Sequence, residues 1–297
     1  MEKTEIRTFP TISQRHVSVR IPGLKWLLLV IPLIYTFLLL YFPIVNVLKL
    51  SFYDQTGFTL HYLQEILTDM LYLKVLWITV KTAFMVTVVT LVLSYPIAYL
   101  LVIMESAKMK KLILGIVMVT LWISLLVRTF SWSVILQDHG IINDYLMKLN
   151  IIHEPLKLLY NNTGVITGMT HILLPYMVLS LYSVMERIDL RLIQAAQGMG
   201  ARPWRSFVQI FFPLSLPGVM SGSLIVFVLG LGYFITPALL GGQDNMMISK
   251  LIQQNIQNTL NWNLASALSI VLLATTFLLL GFAYWISRFS PILKGDN

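Results

Sequence analysis

The chain has 297 residues, of which 57% are hydrophobic and only 11% charged. A soluble domain carries roughly 25% charged residues, so the composition excludes a soluble enzyme, a disordered tail protein and a nucleic-acid-binding domain, despite a formal charge of +8. There are no cysteines, which removes disulfides, thiolate metal sites and cysteine nucleophiles.

A bilayer core about 30 Å thick is crossed by roughly 20 apolar residues in a helix. Six stretches qualify: about 26–48, 78–103, 112–136, 164–185, 214–238 and 264–287. None alternates in the ten-residue segments of a barrel. The predicted fold class is therefore an all-α polytopic membrane protein with six transmembrane helices. The first stretch is too long and too late for a cleaved signal peptide. Residues 1–25 read as a basic tail, 26–288 as the transmembrane domain and 289–297 as a second tail. Placing both termini inside puts 14 of the 21 basic residues on that side and leaves the outer side with no net charge. Cytoplasmic loops carry the excess of Lys and Arg, so both termini read as cytoplasmic.

The outer loops carry structure of their own. Residues 58–73 space Leu60, Leu63, Ile66, Leu67 and Leu71 as a helix lying on the bilayer surface. Residues 140–159 read the same way. Residues 241–263, rich in Gln and Asn, read as a docking or re-entrant segment.

Several chemistries find no support. There is no phosphate-cradling Gly-x4-Gly-Lys-Ser/Thr loop and no cluster with metal-ligand spacing. His171 stands alone in the fourth span. No cofactor and no catalytic residue is expected. None of the six spans holds an acid near its centre, whereas proton- and sodium-driven carriers bury carboxylates there. An energy source, if there is one, sits on another chain.

The inner loop between spans four and five, 186–213, is the most informative stretch. Asp189 is a candidate N-cap and residues 190–199 are good helix formers. Gly200 is placed to end that helix with a positive φ. Pro203 suits the first turn of a second helix, which Pro213 is expected to stop as the fifth span begins. An amphipathic pair at the inner surface, with Leu192, Ile193, Trp204 and Phe207 flanked by arginines, needs lipid headgroups or another protein as partner.

The same stretch resembles the EAA loop of binding-protein-dependent ABC importer permeases. That pattern is Glu-Ala-Ala, three residues, Gly, nine residues, then Ile-x-Leu-Pro. It falls here on Gln194, Ala195, Ala196, Gly200, Ile210, Phe212 and Pro213, without a gap. Gln194 replaces the Glu and Phe212 the Leu. Segments 122–132, 140–143, 173–177 and 233–242 are similar to the spermidine/putrescine permeases, although permeases for iron and opines share parts of them. The resemblance implies a type I importer permease fold in the bacterial inner membrane. It also implies a dimer of ATP-binding subunits docked on the loop, a second permease, and a soluble substrate-binding protein. Gln194, Ala195, Ala196, Gly200, Ile210 and Pro213 would then couple nucleotide-driven closure to the spans.

A path for a long, flexible cation needs aromatic faces. Trp122, Trp132, Tyr176, Tyr233 and Phe234 are candidates, although membrane aromatics also serve as packing. Asp244, in the outer loop, is a candidate for attracting a cation. Gly218 and Gly222 form a Gly-x3-Gly step suited to close helix contact, with a sister permease or within the chain. Arg128 would repel a cation. It is expected to pair with backbone carbonyls or an outer acid such as Asp138.

Overall fold

The computed structural model describes residues 22–54 and 57–289. The chain divides into two units, Met1–Val47 and Leu48–Asn297. The expected tails lie outside the described residues, except for 22–25 and 289, which are helical.

Helix α1, Pro22–Phe52, carries the first unit and runs one turn into the second. Two short strands, Tyr53–Asp54 and Gly57–Phe58, pair antiparallel behind it. Then come α2 (His61–Thr68), α3 (Met70–Ile103), α4 (Ala107–Trp122), α5 (Leu125–Leu136), α6 (Ile141–Lys148) and α7 (Asn162–Met185). The remainder is α8 (Arg191–Gly198), α9 (Pro203–Ser206), a π-helical stretch Phe207–Phe211, and α10 (Phe212–Gly232). It ends with α11 (Ile235–Leu240), α12 (Ile248–Gln257) and α13 (Trp262–Phe289). Among the described residues five helices can cross a membrane, and six crossings result if the bent pair α4–α5 counts as one.

The centre of the second unit is α7 packed between α3 and α10. Its core holds Val86, Met169, Leu173, Met177, Leu181, Phe211 and Val226, all buried. Apolar surface gains nothing by leaving lipid for protein, so helices in a membrane associate through close packing at small residues. A Cβ on Gly218 would come within 3.0 Å of Val184 Cβ, and one on Gly222 within 2.7 Å of Met177 Sδ. The Ser180 and Ser221 hydroxyls, 3.0 Å apart, bond across the same contact. The Gly-x3-Gly step therefore packs inside this chain, which settles the alternative left open by the sequence. Gly230 likewise lets α10 approach α3: a Cβ there would come within 3.3 Å of Ala83 Cβ.

The structure departs from the hydropathy reading in three places. Helix α3 starts at Met70, capped by the Asp69 carboxylate accepting from Leu71 N at 2.8 Å. The amphipathic helix is thus confined to His61–Thr68, and its Ile66 is buried among Tyr72, Val75, Ile248 and Leu268. It packs on other helices of the protein. Span three breaks at Ile123, which is extended, and Ser124, and the chain turns by 100° between Ala107–Trp122 and Leu125–Lys148. Hydropathy averages over such a break, and the local sequence carries neither Gly nor Pro to announce it. Span five ends at Gly232; residues expected to prolong it form the separate α11.

The glutamine-rich segment 241–263 also docks on the protein. Ile248 is buried, and its N–H donates to Thr79 Oγ1 of α3 at 2.9 Å. Of residues 140–159, expected to form a helix, only Ile141–Lys148 is helical, and Asn143 within it is buried. Its amide donates to the carbonyls of Gln137 and Leu156 and accepts from Leu156 N at 2.9 Å, binding that loop into one piece.

Replacing Gly218 or Gly222 by Leu forces α10 away from α7. Overpacking of this kind costs about 1–3 kcal/mol, so each variant should unfold at a lower temperature in detergent. Gly115→Leu, where an added side chain meets open space, should unfold like the parent. Equal behaviour of all three would refute the packing assignment.

Candidate functional site

Up to Pro203 the 186–213 loop is built as the sequence predicts, except that the N-cap of α8 is Leu190 and not Asp189. Asp189 lies one residue before the N-cap position, and its carboxylate accepts from Arg191 N at 3.0 Å. Helix α8 closes in a Schellman motif, with Ala201 N donating to Ala196 O (3.0 Å) and Gly200 N to Gln197 O (2.9 Å). Gly200 has φ +92°, a region that disfavours residues with a Cβ. Pro203 occupies the first turn of α9.

Pro213 does not stop the second helix. Residues Pro203–Gly232 form one continuous helical run. Proline at 213 has no N–H to give to the preceding turn. The backbone widens to a π turn just before it, where Phe212 N donates to Phe207 O, five residues back. Ile210 belongs to this turn and Pro213 follows it. Such turns inside α-helices recur at functional sites.

The adjacent alanines have different surroundings. Ala196 is buried, while Gln194 and Ala195 are exposed. Ile193 packs against the central core. The opposite face bares Leu192, Ala195 and Met199, the last 84% exposed, with Trp204 nearby in sequence at 72%. One face thus fixes the helix to the protein and the other is left apolar and open.

Two anchors escaped the sequence reading. Phe207 and Phe211 stack on each other, and Tyr99 of α3 stands edge-on to both, with ring centres 5.2 and 4.9 Å away. Tyr95, one turn earlier, meets Phe207 and shares a 2.8 Å hydrogen bond with Ser215. The i, i+4 spacing of Tyr95 and Tyr99 on α3 was the available signal. At the loop's other root, Lys110 of α4 reaches Glu186 Oε1 at 3.2 Å, and Tyr182 donates to the same oxygen. Tyr182 first, and Lys110 second, hold the Glu186 carboxyl below its ordinary pKa.

The aromatic path residues divide into two sets. Trp132 stands edge-on to His171, with centres 5.6 Å apart. Tyr233 lies within electrostatic reach of Tyr176 and Arg128, and His171 within electrostatic reach of Arg128. Trp132 and His171 are thus in contact, Tyr233 is linked electrostatically to Tyr176 and to Arg128, and Phe234 is next along the chain. Trp122 is 89% exposed at the end of α4, and Asp244 is exposed in an outer turn. Neither makes a ring contact or ion pair with that set. The expected pairing of Arg128 is also not found: its Nε and Nη1 are buried and meet no carbonyl or acid among the described residues.

With this geometry established, comparison with known proteins identifies the family. The sequence profile of the binding-protein-dependent transport system inner membrane component matches residues 93–289. The chain belongs to that family. It is a permease, a transport component and not an enzyme. It is 34% identical over 219 residues to the spermidine/putrescine transport system permease protein PotB of Escherichia coli (strain K12), covering 74% of this chain and 79% of PotB. Haemophilus influenzae PotB is 33% identical over 215 residues, with 72% and 74% covered. Among solved structures, a chain of the bacterial alginate ABC transporter in complex with alginate pentasaccharide-bound periplasmic protein superposes with TM-score 0.74 at 18% identity. The superposition covers 92% of this permease and 96% of that chain. The fold is that of ABC importer permeases.

Glu186 has a lowered pKa, so its tie to Tyr182 and Lys110 is complete above the ordinary carboxyl value of 4.5 and is lost as pH falls below it. Hydrogen exchange across 186–190 should accelerate in that acid range. The group is half-exposed, so the effect is modest. Glu186→Gln should abolish the pH step, and a step that survives in this variant would assign it elsewhere.

Proposed function

We propose that this permease crosses the inner membrane with both termini in the cytoplasm and forms the path by which an ATP-driven importer takes up polyamines of the spermidine and putrescine type. Two ATP-binding subunits dock beneath it, a second permease pairs beside it, and a soluble binding protein delivers the solute from outside. The observation that carries this reading is the two-faced helix α8. Ile193 and Ala196 hold it to the core while Leu192, Ala195 and Met199 stay bare, as a docking helix requires. The excess of basic residues on the same side supports a cytoplasmic loop, and the names of the relatives support the solute class.

In this reading Gln194 and Ala195 lie on the open side of the docking helix, Ala196 seats it against the protein, and Gly200 ends it. The π turn with Ile210, continuing through Pro213 into α10, carries the motion of the ATP-binding subunits into the spans, and Tyr95 and Tyr99 brace it against α3. Gln194 offers the partner a hydrogen bond without charge. Trp132, Tyr176, Tyr233 and Phe234 offer faces to the cation. Trp122 and Asp244 stand apart from that group and serve as earlier or later contacts of the route.

Docking is tested by Leu192→Glu with Met199→Glu. Both positions are exposed, so insertion and folding should persist while recovery of the ATP-binding subunit with the permease falls at least tenfold. Undiminished recovery would defeat the docking reading. Topology follows from the lack of cysteine: Met199→Cys should react with a membrane-impermeant maleimide only in opened cells, and labelling of intact cells would reverse the orientation. The solute class is decided by competition for ATP-driven uptake, with unlabelled spermidine or putrescine displacing labelled putrescine where ferric ion and opines do not.

A further inference from the structure

The break in span three leaves an N-terminus inside the transmembrane region. Ser124, at the N-cap of α5, makes no side-chain cap. The first-turn N–H groups and the helix dipole there favour negative charge. Arg128 is the fourth residue of that helix, and Trp132 lies one turn further along the same face. The Trp132–His171 contact turns this face toward α7. Arg128 Nε and Nη1 are buried without a hydrogen-bond partner, and so is His171 Nδ1. The Tyr233 phenol, just past the end of α10, is within electrostatic reach of the guanidinium. Through Trp132 the unmet donors of α5 and α7 are thus neighbours, and buried guanidinium N–H groups are tolerable only where they are answered. Among the described residues no carboxylate does so, and all 13 acids of the sequence lie outside the expected spans.

We propose that Arg128, His171 and Tyr233 form an anion-accepting site at the break in span three, of a size for one carboxylate group or one small inorganic anion. Arg128 supplies the charge, His171 donates through Nδ1 when its proton sits there, and the Tyr233 hydroxyl donates as a neutral phenol. The occupant is either a free anion or a carboxylate side chain of the neighbouring permease. A second copy of this chain has no acid in its spans to offer, so a side-chain occupant must come from a different permease. The site stands independently of the solute assignment, and one consequence rests on the polyamine reading. With the site filled, the positive charge beside Trp132, Tyr176 and Tyr233 is cancelled, and a cation can use those faces.

The test uses the complete purified importer without solute, at constant ionic strength, replacing gluconate with chloride or acetate. The thermal midpoint of the parent should rise saturably by a few degrees. Arg128→Gln should remove the response and Arg128→Lys should keep part of it. A flat parent response combined with at least tenfold weaker recovery of the second permease in Arg128→Gln, but not in Arg128→Lys, supports the site with a carboxylate of that permease as occupant. The proposal is overturned if Arg128→Gln retains the parent's anion response, or if the parent is flat and Arg128→Gln assembles and unfolds like it. Because no solute is present, these outcomes are independent of the competition experiment.

Discussion

The structure depends on the contact between α7 and α10, made at Gly218, Gly222, Ser180 and Ser221. Two helices in a membrane have no hydrophobic drive toward each other, so their approach is set by how closely backbone can meet backbone. The loop from Glu186 to Phe211 connects these same two helices. Fixing them therefore fixes both roots of the loop, and the short helix between them is presented as part of a rigid frame. The aromatic bracket of Tyr95, Tyr99, Phe207 and Phe211 extends that frame to α3, and the ion pair of Lys110 with Glu186 extends it to the first half of span three.

This arrangement gives the loop two unlike connections to the bilayer. On the α7 side the chain leaves through a hydrogen-bonded corner at Glu186, which polar groups can make or break at little cost. On the α10 side it enters a helix without interruption, through a π turn and stacked rings. A push on α8 would thus travel into α10 as the movement of a stiff rod, while the corner at Glu186 gives way.

Much of this was legible in the residues themselves. Spans four and six, the positive φ at Gly200 and the helical start at Pro203 follow from length, from the absence of a Cβ and from a ring that fixes φ. The break after Trp122 was not legible, because a hydropathy window measures composition and residues 122–125 contain no helix breaker. Pro213 misled for a different reason: a missing N–H ends an α-helix but is accommodated by a turn already widened by one residue. Likewise the role of Tyr95 and Tyr99 depends on contacts with residues more than a hundred positions away, which no local pattern reports. Arg128 announced itself as costly, but which groups surround it is a property of the fold.

The interruption at Ile123 and Ser124 has a geometric consequence for the whole molecule. Hydrocarbon offers no partners to peptide groups released from a helix, so non-helical backbone at membrane depth occurs only beside protein or water. The flank of the second unit that carries this kink therefore turns away from the acyl chains, and the opposite flank meets them. Even without a bilayer present, this gives the permease an inward and an outward side in the plane of the membrane.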